Sequence, residues 1–484
     1  MPALHHSRVL LVHPLGYSTG AAGHDIARLA NVMPPLGLAS LAAWLDRQGF
    51  DTRIVDFYAK PGSLQTLSNL LTDWRPAFLG LSCTTSSFLD GIGVAEHAKQ
   101  LSPGIRTVMG GPHVSALKAA SLAGYAALDF GVVGEGEATM ADLAKGGWEH
   151  PADVPGLVYR AAGGATCFTG PRPPLPDLDA LPFPAYEKLE GYPHAYKLPI
   201  FNYPRAPNTS CVSSRGCPYA CSYCDRSVFG NSFRYNSAAY MLDHVRDLKT
   251  RFGIRHINFY DDQFTFHRRR IEEFADGLAK ARLGVTYNCA ARAEHLDKDL
   301  LRLMKASGCW MISLGIETGD ADLLARHRSK ADLDLLRGRV ELIQRAGIRV
   351  KGLLMLGLPG ETEETVRHSM DYVRSLRLDD FNLTKFTPFP GAPLYARIRE
   401  QGTFDEVWPK LDCMHFQFVP HGLTRERLEA LHQEFYKRHF LQPRVIWDYT
   451  TMAWRSPDSW KRFWLGAGSF LRFAAGSRRH EDDA

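Results

Sequence analysis

The chain has little cysteine, no long apolar run and almost no charge bias. Nine cysteines in 484 residues is a sparse and odd number, which argues against a disulfide framework. No stretch of 18 apolar residues is present to span a bilayer. The first residues do not read as a charged-then-apolar leader with a cleavage site, so the expected location is a reducing cytoplasm. Basic residues number 57 and acidic ones 52, a net charge of +5, too small an excess to argue for nucleic acid. What is abundant is ordinary: 45% hydrophobic and 23% charged residues, a soluble globular composition. The length predicts two or three domains.

Three of the nine cysteines stand together. Cys217, Cys221 and Cys224 have C-x3-C-x2-C spacing just after a short apolar run. Gly216 and Pro218 predict a turn that lets three thiolates converge from one loop. Short Cys spacings of this kind mark iron–sulfur ligation, and three ligands leave one iron of a [4Fe–4S] cluster open. A structural zinc site would need a fourth ligand, usually from a second pair at some distance; no such pair is evident. Cys211, on the strand before the loop, is expected to pack rather than ligate, and so are Cys289 and Cys309.

With Tyr223 before its last cysteine, this segment resembles the radical SAM superfamily. The resemblance implies a [4Fe–4S] cluster on Cys217, Cys221 and Cys224, with S-adenosylmethionine on the fourth iron. It also implies reductive cleavage to a 5′-deoxyadenosyl radical, and contact between Tyr223 and the adenine region. No further catalytic residue is assigned.

The first ~140 residues alternate short apolar runs (8–13, 52–56, 77–81, 105–109, 129–133) with helical patterns, predicting an α/β doubly wound parallel sheet. Such sheets bind ligands at strand C-terminal ends. The loops there carry Ser82 and Thr84, then Gly110-Gly111-Pro112-His113, then Gly134-Glu135-Gly136-Glu137. They could admit a flat cofactor close to backbone or be plain βα turns. Together with Pro34-Pro35-Leu36-Gly37-Leu38 they resemble the flavodoxin-like cobalamin (B12)-binding domain that precedes many radical SAM enzymes. The resemblance implies that Ser82, Thr84, Gly110, Gly111, Gly134 and Glu135 contact cobalamin. The D-x-H-x-x-G motif is absent, so His113 is not assigned to cobalt.

Residues 1–150 are thus expected to form the cobalamin-binding-like domain. Residues 151–205, rich in proline and glycine, read as a linker without regular elements, draped over the second domain. Residues 206–400 contain six strand–helix repeats. Eight would close a barrel; six suggest the partial (β/α)6 barrel of the radical SAM family, with functional loops at one rim. There Gly315 and Glu317 lie in a segment resembling the family's ribose-binding strand. Gly357 and Gly360 resemble its adenosine-side turn, although a tight turn alone would explain both glycines. Asp261 and Asp262 could position substrate or cap a helix. Arg292 could pair with the S-adenosylmethionine carboxylate or be an ordinary surface arginine.

Residues 401–484 are expected to be a helical extension. From Trp454 to His480 they mix aromatics with Lys and Arg, a pattern that suits either a membrane surface or docking on the barrel.

The resemblance implies a cobalamin-dependent enzyme that C-methylates an unactivated carbon of a small molecule, with an external electron donor such as flavodoxin or ferredoxin. One alternative is an oxidative cyclase acting on a tetrapyrrole without methyl transfer. A non-catalytic metal- or cobalamin-binding protein is the third reading. Methylthiotransferases on tRNA carry three further N-terminal cluster cysteines, where this chain has only Cys83.

Overall fold

The computed structural model describes residues 5–15, 31–60, 63–330 and 332–464. The first sheet contains β1 (His5–His13), β2 (Asp51–Asp56), β3 (Pro76–Ser82), β4 (Arg106–Gly110), β5 (Phe130–Val132), β6 (Leu157–Arg160) and β7 (Thr166–Phe168) in the order β2-β1-β3-β4-β5-β6-β7. The first five strands are parallel. Every residue of β3 before Ser82 is buried, as expected of a strand covered by helices on both faces. Helices α1 (Leu36–Arg47), α2 (Phe88–Leu101) and α3 (Gly136–Asp142) are three of those that cover it.

One boundary differs from expectation. β6 and β7 pair antiparallel onto the edge of this sheet, so the first unit runs through Phe168 instead of ending near residue 150. The proline-rich composition masked them: Leu157–Arg160 holds no proline, and pairing with β5 supplied the order that local propensity did not.

Beyond Phe168 the connection is draped as expected, and against both units. Tyr186 and Tyr192 donate to Ser210 and Thr209 of the second sheet. Lys188 reaches Asp46, and Tyr196 donates to Asp56, in the first. Buried hydroxyls need such partners, which fixes where the segment lies.

The second sheet holds β8 (Asn208–Cys211), β9 (His256–Phe259), β10 (Thr286–Ala291), β11 (Cys309–Glu317), β12 (Arg349–Leu356) and β13 (Asp380–Lys385), all parallel. Their order, β13-β12-β11-β10-β9-β8, follows the chain, and helices α4 (Ala238–Phe252), α5 (Arg268–Ala281), α6 (Lys298–Ala306), α7 (Leu333–Arg345) and α8 (Glu363–Leu376) connect them. Along β11, Ile312, Leu314 and Ile316 are buried while Ser313, Gly315 and Glu317 are only partly so. That alternation of two puts one row under the helices and the other in the lumen. Cys211, Cys289 and Cys309 are buried as packing residues.

The C-terminal region adds a hairpin (Gly402–Phe404 with Phe418–Pro420), then α9 (Arg425–Phe440) and α10 (Pro443–Arg455). The described part of the tail docks on the barrel side of the connection: Ser459 accepts from Phe201 N, and Arg462 donates to Leu198 O. Phe470, Leu471, Arg472, Phe473, Arg478 and Arg479 lie outside the described residues.

Candidate active site

The cysteine loop leaves β8 through Ser213 and Ser214, and a buried ion pair holds that exit. Asp261 accepts from Ser213 N (2.7 Å), Ser213 Oγ (2.6 Å) and Ser214 Oγ (2.7 Å). Arg270 of α5 grips the same unit through Ser213 O and Asp261, both side chains being inaccessible. Asp261 thus braces the loop, neither of the roles considered from sequence. Gly216 follows at φ +85, where a Cβ would stand 1.9 Å from the Ser232 carbonyl oxygen, so only glycine lets the chain turn here.

Cys217, Cys221 and Cys224 come next, and each is at least half-buried. Burial pushes the Cys217 thiol up and that of Cys224 to about 12, and each also feels the field of Cys221. Three buried thiols on one loop, in a site that resists charge, suit a cationic group, which deprotonates coordinating thiols outright. The three thiols therefore fit the iron–sulfur group.

The surroundings hold the loop from several strand ends. Arg292, after β10, is buried; its Nη1 lies 3.9 Å from Cys221 Sγ, and Nη2 donates to Ser329 O and Lys330 O. It is no surface arginine. Ser222 N donates to His327 O, and the His327 ring bridges Ser222 Oγ (3.0 Å) to Pro359 O (2.7 Å). Leu394 N donates to Ser222 O. His327, Ser222 and Arg270 are functional-site residues that sequence reading missed. Nothing local distinguishes them, since their partners lie as far as 172 positions away.

Tyr223 and Glu317 lie close enough for each to act on the other's ionisation. Glu317 ends β11 at a register shift with φ +65. Burial raises its carboxyl against the opposing pull of Arg328 and Tyr223; burial likewise pushes the Tyr223 phenol far up. Gly315 lies against Glu317, whose carboxylate a Cβ there would meet at 2.7 Å. Gly357 and Gly360 both take left-handed φ in a turn folded over buried Glu361, whose carboxyl accepts from Gly357 N. The turn accounts for these two glycines by itself. Burial and then Asp261 raise the Asp262 carboxyl, and its charge acts on both Cys217 and Cys224.

The second candidate pocket lies at the carboxyl ends of the first sheet. A cavity of ≈150 Å³ is lined by Ser82, Gly110, Gly111, Gly134 and Glu135 from the strand-end loops. Val228 and Phe229, four and five residues past Cys224, form its other wall. A Cβ on Gly110 or Gly134 would meet nothing closer than 3.6 Å, so side chains there would fill the hollow. That cradle fits a flat group laid along backbone. Thr84 is not in it: its hydroxyl is spent on Ser86 and Ser87. Glu135 is shared with the barrel. Arg215 contacts Glu135 (2.8 Å) and Glu137 (2.5 Å), and Arg234 also pairs with Glu135. His113 is buried beneath Phe88 and Trp408, with its Nδ1 3.3 Å from Thr85. Burial lowers its pKa to about 4, and it does not line the cavity.

Comparison with known proteins agrees with both halves. Residues 211–373 match the radical SAM superfamily, and residues 25–144 match the B12 binding domain. An uncharacterised methyltransferase of Pyrococcus horikoshii is 27% identical over 85% of this chain and 89% of its own length. The anaerobic magnesium-protoporphyrin IX monomethyl ester cyclase of Rubrivivax gelatinosus is 28% identical over 90% and 77%. The fold is similar to the radical S-adenosylmethionine methyltransferase TsrM from Kitasatospora setae (TM-score 0.66, 20% identity, 81% of this chain and 76% of that one). The groups that go with the two matched families are a [4Fe–4S] cluster, S-adenosylmethionine and cobalamin. The chain is an enzyme that carries a B12 binding domain ahead of a radical SAM domain.

Proposed function

We propose that this enzyme transfers a methyl group to an unactivated carbon of a small-molecule intermediate. The observation that carries the reading is the shared wall. Val228 and Phe229, which close the first-sheet cavity, belong to the same loop as the three cysteines. When bound, the cluster supplies the electron that splits S-adenosylmethionine, and cobalamin supplies the methyl group.

The chain's own residues position and shield. Cys217, Cys221 and Cys224 would hold the cluster, with Arg292 beside Cys221 as the cation nearest a sulfur. Tyr223 and Glu317 would orient the nucleoside, Glu317 as a hydrogen-bond acceptor for ribose hydroxyls. Gly315 keeps that wall low. Gly110, Gly111, Gly134 and Ser82 would line the cobalamin cradle. Glu135 would act on it indirectly, by fixing Arg215 two residues before Cys217. Electrons would come from a flavodoxin- or ferredoxin-like donor in the cytoplasm.

The test uses anaerobically reconstituted protein with S-adenosylmethionine, a low-potential reductant and methylcobalamin. Methyl transfer requires both 5′-deoxyadenosine and S-adenosylhomocysteine, with neither from Cys221→Ala. Deoxyadenosine alone would favour the second reading, oxidative ring closure without methyl transfer, which the resemblance to the cyclase supports.

A further inference from the structure

Helix α10 is built the wrong way round for a solvent-covered helix. Its inner face is anchored: Val445 and Met452 are buried, Asp448 pairs with Arg349, and Tyr449 donates to Asp380. Its outer face carries Ile446, Trp447, Thr450 and Trp454, with exposed Arg444 one turn before Trp447. Trp447 is 72% and Trp454 81% exposed. Positions seven apart share a helix face, and a surface helix normally puts charge there. Trp464, 68% exposed, follows nearby in the chain. Four of the nine tryptophans fall between positions 447 and 464.

Beside this face lies a wide cleft of ≈840 Å³, with Trp454 and Arg455 on one side and Arg205, Arg255 and Arg282 around it. Asp458 is the one acidic residue among its described lining, and its carboxylate accepts from Ala206 N. Arg455 is paired with Asp448, but the other three guanidinium groups have no ion pair among the described residues. Arg205, Arg255, Gly284 and Gly308 precede β8, β9, β10 and β11. The surface is therefore the barrel floor, whereas the cysteine loop leaves the opposite end.

We propose that this floor docks on an anionic lipid bilayer surface, leaving the catalytic rim facing away from the membrane. Tryptophan favours the bilayer interface, where its ring is buried and its N–H stays wet. Clustered cations are drawn to anionic headgroups and held less well as salt rises. A Trp/Ile face beside an arginine cleft supplies both terms on one side of the molecule. The inference goes beyond the methyl-transfer reading and does not depend on it.

The test is co-sedimentation of the full-length, cluster-loaded chain with vesicles of phosphatidylcholine alone and of equal parts phosphatidylcholine and phosphatidylglycerol. The expected result is several-fold more protein on the anionic vesicles, released by salt. Trp447→Ser with Trp454→Ser should lower binding several-fold. Arg205→Ala, Arg255→Ala and Arg282→Ala together should remove the preference for anionic lipid. All five positions are surface-facing, and unchanged thermal melts verify that the variants fold. Absence of binding, equal binding to both vesicles, or full binding by the tryptophan variant would overturn the proposal. So would a dimer that the tryptophan variant dissociates, or tighter binding to single-stranded RNA than to vesicles.

Discussion

At the scale of single residues, the buried acids near the rim divide by what surrounds them. Asp261 keeps its charge company with Arg270 and two serine hydroxyls, and removing it would strand a buried guanidinium. Asp261→Ala is expected to cost about 3–5 kcal/mol, read from denaturant midpoints, with a lower iron content per chain. Glu361 makes no ion pair among the described residues. Burial outweighs the backbone donors of Gly357 and Leu358 and pushes its carboxyl up to about 8 from an ordinary 4.5. The folded chain therefore favours its protonated form. That contribution is complete below the unfolded value and is lost as pH rises through about 8. The melting temperature of the native protein should fall across this window more steeply than that of Glu361→Gln, whose neutral amide cannot titrate.

At the scale of elements, the first sheet and the barrel are joined through charge as well as packing. Glu135 and Glu137 sit at the start of α3, and Arg215 sits on the short strand leading to the cysteines. All three side chains are nearly inaccessible, as is that of Arg234. Arg215→Ala would leave two buried carboxylates with one arginine between them, and is expected to cost about 3–5 kcal/mol. Arg215→Lys should recover only part of this, because one ammonium cannot fork to two carboxylates as a guanidinium does. Urea unfolding followed by tryptophan fluorescence checks both. From sequence, Gly134–Glu137 read as a cofactor loop. The glycines do line the cradle, but the acids turn toward the barrel, since a carboxylate's partner 80 residues away leaves no local pattern.

At the scale of the whole molecule, the C-terminal region closes the barrel floor. Phe201 of the connection is covered by Tyr449, Trp460 and Phe463 and bonded to Ser459, and Tyr203 is bonded to Ser456 and Arg462. A chain stopped after residue 440 would expose these rings and the polar groups of Asp380 and Arg349. It is expected to melt at least several degrees lower, by calorimetry, and to lose solubility. The cluster loop, at the other end, should still take up iron in whatever fraction remains folded.

The sequence by itself determined the parallel strands of both sheets, their order along the chain, the loop of three closely spaced cysteines and the glycines at the first sheet's strand ends. Those features repeat at short range: apolar runs that alternate with helical faces, and ligands spaced within one loop. Tertiary structure alone decided what Asp261, Arg270, His327 and Arg292 do, and that β6 and β7 extend the first sheet. It also decided which face of α10 is left bare. Each of these depends on a partner far away in the chain, and side-chain type sets only what a residue can bind, while folding sets what it meets.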